Sequence, residues 1–581
     1  MRSILVKAFR LFRPWTIRLK IGEVPFLKLS GRIPGSDLTE GTAEAFAGEL
    51  LEMLQGQQSA ATLKKDRLNR LPPHQLQQSI RKANRFLRKK RLREGLRFLC
   101  AQYQNTYDGR IGWAARELST VLSLDDVSIA LLEGIESDVP LARMKLAEIY
   151  EKRGLIDQAI QRLRDQKERL SQAQYSFMLQ AMLKSPTISS RELLVEQSEW
   201  ARRFCSVGGL DGKGVFAEPL RGRKVRIGYH CTFWNSDTIR NQLLPVLLKH
   251  DRDRFEIFAY TPSALDEHFL PAVDHVELTN ALDDDAFVRT VRHHKLDIFL
   301  ECTGFSPGHR FAAMAKRCAP VQISYLNHTG TSGTPNVDIV IADDISLRSE
   351  EECYFTERVL RLPGSFFCFN FEASKQPETG QAPVIKNGYV TFGCFGSNGK
   401  INPKLLDWWA EVMKRTPNSV IYIRNLELSP ASNRRFLLRK MTDRGIPEAR
   451  VIVQGGLPRD DLVACYKDVD ISLDTWPYCG GNTIAESLWQ GVPVISFRGQ
   501  RFSSAYGASL LASSGCSELV ADTEGMYIEK AVRLAHDPGR ISMYRETLRE
   551  KTRTHGFNNA AAFAGKLEQA FLSILTKREN D

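Results

Sequence analysis

The chain has no run of eighteen or more apolar residues, so no helix is expected to cross a membrane. Its eleven cysteines include no CxxC pair and no zinc-type spacing. Cys302, Cys318, Cys394 and Cys516 lie in apolar stretches and read as buried thiols of a reducing compartment, the cytoplasm. The opening "MRSILVKAFRLFRPWTIRLK" lacks the uninterrupted apolar core and small-residue cleavage site of a secretory signal. Acidic residues are nearly missing from residues 1–30, where Glu23 alone stands against Arg2, Lys7, Arg10, Arg13, Arg18, Lys20 and Lys28. With Ile4, Leu5, Phe9, Leu11, Phe12 and Trp15 between the charges, this segment fits an interfacial helix at a membrane. It fits a disordered or core-docked N-terminus equally well.

At 581 residues the chain is too long for one core, and two to four domains are expected. A hydrophobic content of 43% and a charged content of 25% describe a soluble globular protein. The net charge of +12 is concentrated in the opening segment and in residues 64–97, with "KKDRLNR" and "RKANRFLRKKRLREGLR". Such patches favour anionic partners, a membrane surface or acidic protein segments, although a solvated helix face is the plainer reading. Nucleic acid is not expected as a partner.

Texture divides the chain. Residues 1–60 form a basic, partly irregular segment, and 61–215 read as an α-helical, tetratricopeptide-like domain. In "LARMKLAEIYEKRGLIDQAIQRL", Leu146, Ala147, Tyr150, Gly154, Ala159 and Leu163 have the spacing of such a helix pair. A weaker echo uses Ala83, Leu87, Gly95 and Leu96. No regular 34-residue ladder follows, so a generic helical bundle stays open. From 222 to 385 strands such as "RKVRIGYHC", "FEIFAYT" and "LDIFLEC" alternate with helices, and the texture restarts at 386–575 with "YVTFGCF", "SVIYIRN" and "VPVISF". Two successive Rossmann-like α/β domains with a ligand cleft between them are expected.

The strongest local signal is "VDISLDTWPYCGGNTIAESLWQGVPVISF". A strand leads through a Pro/Gly turn into a helix beginning near Asn482. Gly480 and Gly481 let a ligand approach the backbone, and Asn482 and Thr483 sit where free N–H groups and the helix dipole favour phosphate. Glu486, one turn in, could accept ribose hydroxyls, and Gly491 ends the helix. "CFGSNGKINP" is a second strand-to-helix loop and places Lys400 where it could neutralise a diphosphate. Neither turn is specific alone, since glycine-bearing turns are common and loop lysines are usually solvated.

At these residues the chain resembles the protein O-GlcNAc transferase and SPINDLY-like glycosyltransferases. The likeness runs over roughly 222–575 with the motifs in family order: "KVRIGYHCTFWNSD", "DIFLECTGFSPGHR", "APVQISYLNHTGTSGTPNVDIVIAD", the stretch above, and "SSAYGASLLASSGCSELVA". It implies a GT-B fold of two Rossmann-like domains preceded by a tetratricopeptide-like region. It implies a nucleotide-sugar donor, most often UDP-GlcNAc, a Ser/Thr protein acceptor, inversion at the anomeric carbon, and no required metal or other cofactor. It assigns Lys400 and Arg310 to catalysis and places Gly481, Asn482, Thr483 and Glu486 on the donor. The turn Gly330, Thr331, Ser332 and Gly333 would lie beside the sugar. Where relatives carry histidines this chain has Ser236, Gly481 and Leu462; Asp237 and His230 are the nearby groups able to stand in, Asp237 being taken as catalytic. No general base stands out.

The expected function is therefore transfer of a sugar, GlcNAc from UDP-GlcNAc, to Ser/Thr hydroxyls of a protein, acidic acceptors being favoured by the basic helical region. Two alternatives remain at this point: a membrane-associated transferase acting on a surface polysaccharide or lipid-linked glycan, and a non-catalytic nucleotide-sugar-binding scaffold.

Overall fold

The computed structural model describes residues 20–21, 24–25, 40–55, 71–89, 91–122, 124–137, 139–205, 222–327, 329–371, 379–555 and 557–580. The basic opening residues 1–19 lie outside the described residues, as do "KKDRLNR" (64–70) and Lys90 of the second basic patch. No described helix is long and apolar enough to cross a membrane.

After a short antiparallel pair, Lys20–Ile21 with Val24–Pro25, nine α-helices follow among the described elements: α1 (Glu40–Gln55), α2 (Pro73–Arg88), α3 (Leu92–Thr106), α4 (Gly109–Val121), α5 (Asp125–Ile135), α6 (Pro140–Lys152), α7 (Ile156–Arg164), α8 (Gln172–Lys184) and α9 (Ser190–Phe204). From α2 to α7, and again between α8 and α9, consecutive helices pack on one another. Small residues make this possible in α6 and α7, where Leu146, Ala147, Ala159 and Leu163 are buried and Tyr150 fills the gap, its hydroxyl 2.6 Å from Glu133. The basic stretch is a solvated face: Arg81, Lys82, Arg85, Lys89 and Arg91 are exposed while Leu76, Ile80 and Ala83 of α2 are buried. Reciprocal bonds between Ser171 and Gln174, and between Ser189 and Glu192, start α8 and α9.

The first sheet is parallel, with β1 (Val225–His230), β2 (Phe255–Thr261), β3 (His275–Leu278), β4 (Ile298–Glu301), β5 (Val321–Ser324), β6 (Ile339–Ala342) and β7 (Arg358–Arg361) in the order β3-β2-β1-β4-β5-β6-β7. Its connecting helices include α10 (Asp237–Gln242), α11 (Leu244–Leu247), α12 (Asp284–His293) and α13 (Phe311–Met314). The second sheet runs β10-β9-β8-β11-β12-β13, with β8 (Val390–Cys394), β9 (Ser419–Asn425), β10 (Val451–Gly455), β11 (Ile471–Leu473), β12 (Val494–Phe497) and β13 (Val520–Ala521). Helices α14 (Pro383–Asn387), α15 (Pro403–Arg415), α16 (Ala431–Thr442), α17 (Arg459–Ala464), α18 (Asn482–Trp489), α19 (Tyr506–Ser513), α20 (Glu524–Ala535) and α21 (Pro538–His555) connect and follow these strands. The central strands are buried on both faces, as apolar runs such as "VTFGC" and "IVIA" require. In both sheets the middle strand order reverses direction of winding, the place where α/β folds bind ligands.

The last helix, α22 (Ala560–Asn580), corrects the reading that everything after 386 belongs with the second sheet. It packs on the first: Glu568 accepts from the Asp251 N–H and pairs with His250, both at 2.8 Å, and Lys566 donates to the Pro363 carbonyl.

Contacts group the chain into two compact units. One comprises 1–165, 425–440 and 453–458; within it Arg153 bonds Asn433 at 2.9 Å and pairs with Asp126 at 2.7 Å. The other comprises 166–424, 441–452 and 459–581, and so holds α8 and α9 together with nearly all of both sheets. The division falls at 165, inside the helical region, because α8 and α9 bury their apolar face on the first sheet's loops. The Trp200 ring meets Phe305 edge-on at 5.1 Å between centres and His309 at a tilt at 5.2 Å, and His309 bonds Ser176 at 3.0 Å.

Candidate active site

The site lies in the second unit, at the carboxyl ends of both sheets. After β8 the chain turns through Asn398–Lys400 and enters α15, whose first turn is capped by Asn402 and started by Pro403. That turn aims Lys400 at the loop following β11: its Nζ donates to the Cys479 carbonyl at 3.0 Å and lies 4.2 Å from the centre of the Tyr478 ring. Burial pushes the Lys400 ammonium down to about 8, and the positive charge of Lys184 acts the same way. Lys400 is half-buried and lines both cavities described below.

The loop itself hangs on Asp474. This buried carboxylate accepts from the Thr475 and Gly480 N–H groups, each at 2.8 Å, and from Ser496 Oγ at 2.5 Å. Burial raises it to about 6 against those bonds. The loop includes a cis Trp476–Pro477 bond and delivers the chain to α18. At the far end of α18, Arg545 donates to the Gln490 carbonyl and Arg549 to that of Trp489. Guanidinium groups at one end and open N–H groups at the other orient the helix with its positive end to the cavity.

Two adjoining cavities fill the space, of about 200 and 410 Å³. Gly481, Asn482 and Thr483 line the smaller one. Ser397, Lys400, Tyr478, Thr238 and Asn327 line both. The first sheet thus contributes α10 and the loop after β5. Asn482 reaches across to it, donating to Thr238 Oγ1 at 2.7 Å and accepting from Gln242.

The other sequence-derived residues stand apart from the cavities. Glu486 is buried and paired with Arg459 at 2.8 Å; burial raises its carboxyl to about 7, opposed by that arginine. Asp237, the first residue of α10, is exposed and paired with Arg240, although its neighbours Ser236 and Thr238 do line the larger cavity. His230 is locked at 2.8 Å to Glu301, which also accepts from the Thr303 and Arg310 N–H groups. Burial disfavours the Glu301 charge, but His230 and Thr303 outweigh it and hold the carboxyl below its usual range. The Arg310 side chain ties down the segment before α12, bonding the Thr279 and Leu282 carbonyls at 2.9 Å and covering the Phe287 ring.

In the turn Gly330–Gly333, Thr331 and Ser332 give their hydroxyls to buried Glu357. Gly330 and Gly333 face α9: Gly333 has φ +62°, and a Cβ there would lie 2.7 Å from the Gln197 main chain. The turn is a seat for α9, and the neighbouring Asn327 and Thr329 reach the cavity instead.

Sequence reasoning missed Ser397 and Tyr478, which flank singled-out residues, and also Phe233, Phe305, Gln180 and Lys184. For Gln180 and Lys184, on α8, no local signal exists: only the fold brings them to Lys400.

Two Rossmann-like domains facing one cavity across their strand ends, preceded by helices, define a GT-B type of glycosyltransferase fold. The chain belongs to glycosyl transferase family 41, whose model matches residues 215–375 and 379–567. It is similar to the tomato (Solanum lycopersicum) protein named probable UDP-N-acetylglucosamine–peptide N-acetylglucosaminyltransferase SPINDLY. The two are 33% identical over 392 residues, which is 65% of this chain and 41% of that one. The Arabidopsis thaliana protein of the same name is 34% identical over 300 residues, 51% of this chain and 32% of that one. Across the SPINDLY relatives the chain spans 31% to 42% of their length. Among solved structures it matches an O-GlcNAc transferase mutant of Thermobaculum terrenum with a TM-score of 0.73 and 24% identity, covering 92% of this chain and 98% of that one.

Proposed function

We propose that this protein is an inverting glycosyltransferase that moves a sugar, GlcNAc from UDP-GlcNAc, to Ser/Thr hydroxyls of a protein. The observation that carries the reading is the convergence of Lys400 and the N-terminus of α18 on one cavity. A departing nucleoside diphosphate needs positive charge placed in advance, in a site of low polarity where that charge is strong. Lys400, the free N–H groups of α18 and the Asn482 and Thr483 side chains supply it. The acceptor hydroxyl would approach through the larger cavity, on the far side of Lys400 from the phosphate loop, in line with the bond that breaks. Support for the donor and acceptor classes comes from the names of the SPINDLY relatives. All eleven cysteines are unpaired, in keeping with a reducing compartment such as the cytoplasm.

A panel of nucleotide sugars read by thermal shift, followed by mass spectrometry of co-expressed proteins, tests this. UDP-GlcNAc should stabilise the protein and leave a HexNAc on Ser or Thr; a different donor, or a glycan product, would replace the reading. We further propose that no metal is required, because Lys400 and the helix end take the place a divalent cation holds in other transferases. Transfer should continue in EDTA at an undiminished rate. Loss in EDTA with recovery in Mg²⁺ or Mn²⁺ would refute that mechanism.

A further inference from the structure

The loop after β1 carries two adjacent aromatic residues, burying one and exposing the other. Trp234 is buried: its Nε1 donates to the Tyr260 carbonyl at 2.9 Å, and its ring meets Phe269 edge-on at 5.2 Å between centres. Phe233 is 38% exposed, and no other phenylalanine or tryptophan among the described residues is left as open. Of the exposed large apolar side chains among the described residues, Phe233 alone lines either cavity, and it lines only the larger. Leu183, Ile239 and Phe305 line that cavity too but are buried, so Phe233 is the apolar surface there that remains to be covered.

Hydrogen bonds fix the loop on both sides of this ring. The Phe233 N–H donates to Cys231 Sγ at 3.4 Å, and the Phe233 carbonyl accepts from the Ser236 N–H at 2.8 Å. Asn235 donates to the Ala264 carbonyl at 2.9 Å and accepts from the Asp266 N–H at 2.8 Å. The Thr232 N–H donates to Thr303 Oγ1 at 3.2 Å, in the loop after β4. Thr303 is held in turn by Glu301, which accepts from its N–H at 2.7 Å and is bound to His230. The two loops therefore form one frame, anchored on a buried carboxylate. A ring placed in advance has little freedom to lose when a partner covers it.

We propose that Phe233 is a specificity-determining residue of the acceptor site, where it receives an apolar side chain of the protein acceptor close to the hydroxyl that takes the sugar. This rests on the protein-acceptor reading above, in which the acceptor enters through the larger cavity beside Lys400. A sugar ring laid on an aromatic face also needs its hydroxyls held, most firmly by ionised carboxylates, and none is found among the described residues lining this cavity. An aliphatic side chain asks for no such partner and gains by leaving water. Apolar contacts of this kind discriminate by roughly tenfold or more, and a ring partly open to solvent stands at the low end of that range.

Kinetics with the full chain, UDP-GlcNAc and synthetic peptides decide the matter. Each peptide carries one central Ser in a constant, uncharged background, with Leu or its near-isostere Asn at one position at a time on either side. The wild type should use the best Leu peptide about tenfold better than its Asn counterpart in kcat/KM. Phe233→Leu should keep that preference, and Phe233→Ser should erase it by slowing the Leu peptide alone. Wild-type transfer that ignores the exchange at every position, or a preference that survives in Phe233→Ser, overturns the assignment. So does an equal loss on both peptides in Phe233→Ser; a lower melting temperature would then place the ring in the packing of its own chain. Hydrolysis of donor with transfer to no peptide, or transfer to a glycan instead, overturns the protein-acceptor reading itself, and this inference with it.

Discussion

Lys400 is asked to be charged where burial opposes charge. Burial pushes its ammonium down to about 8, so a growing fraction is neutral above that pH. If the charged form serves the donor, kcat/KM for the donor falls as pH rises through about 8. Lys400→Arg should remove that alkaline limb because guanidinium stays charged. A profile flat through this range would refute the assignment. Lys400→Ala should slow transfer by the equivalent of about 2–4 kcal/mol. Its effect on stability runs the other way. A lysine with a depressed folded pKa binds fewer protons folded than unfolded between about 8 and 10.5, so its contribution improves as pH rises through that window. At pH 7 the full penalty of burying the charge is present, and Lys400→Met should melt no lower than the wild type.

Among the elements, α18 is the one whose placement matters most, and a glycine sets it. Gly491 follows the helix with φ +74°, and a Cβ there would stand 2.6 Å from the Arg545 carbonyl oxygen. Gly491→Ala adds left-handed strain to a backbone clash and should cost more than about 1 kcal/mol. Denaturant melts measure that, and donor affinity should fall with it because Arg545 also caps α18. Unchanged stability would show that α21 can shift freely. The strand–turn–helix units around Lys400 and Asn482 could be read from sequence because each is local: a strand, a glycine turn, a capped helix within thirty residues. The roles of Arg310 and of the turn Gly330–Gly333 could not, since their partners Thr279, Glu357 and Gln197 are distant in the chain. Motif identity carried those residues to the site, and their contacts place them in its framework.

For the whole molecule, the two-sheet plan was legible because each domain repeats a strand–helix alternation. The return of α22 to the first sheet and the capture of α8 and α9 by the catalytic unit were not, for amphipathic helices do not state which surface they cover. A cut at 205 follows the change of texture but strips Gln180 and Lys184 from the cleft and Trp200 from Phe305 and His309. A fragment 166–581 should bind donor with near-native affinity, whereas 206–581 should be unstable and bind weakly. Calorimetry and donor titration of both fragments decide the matter; equal behaviour would make α8 and α9 dispensable.

Asn482 spans the cleft to Thr238 and Gln242. On the reading proposed above, the donor's phosphates would claim the helix end that these side chains occupy. Arrival is then gated: however strongly the cationic site draws an anion by diffusion, the observed association rate would not exceed the rate at which this bridge breaks. In stopped-flow mixing the rate should climb with donor concentration and then level off. Thr238→Val, which removes the hydroxyl that Asn482 uses, should raise the plateau. A strictly linear rise would mean that the bridge opens too readily to matter.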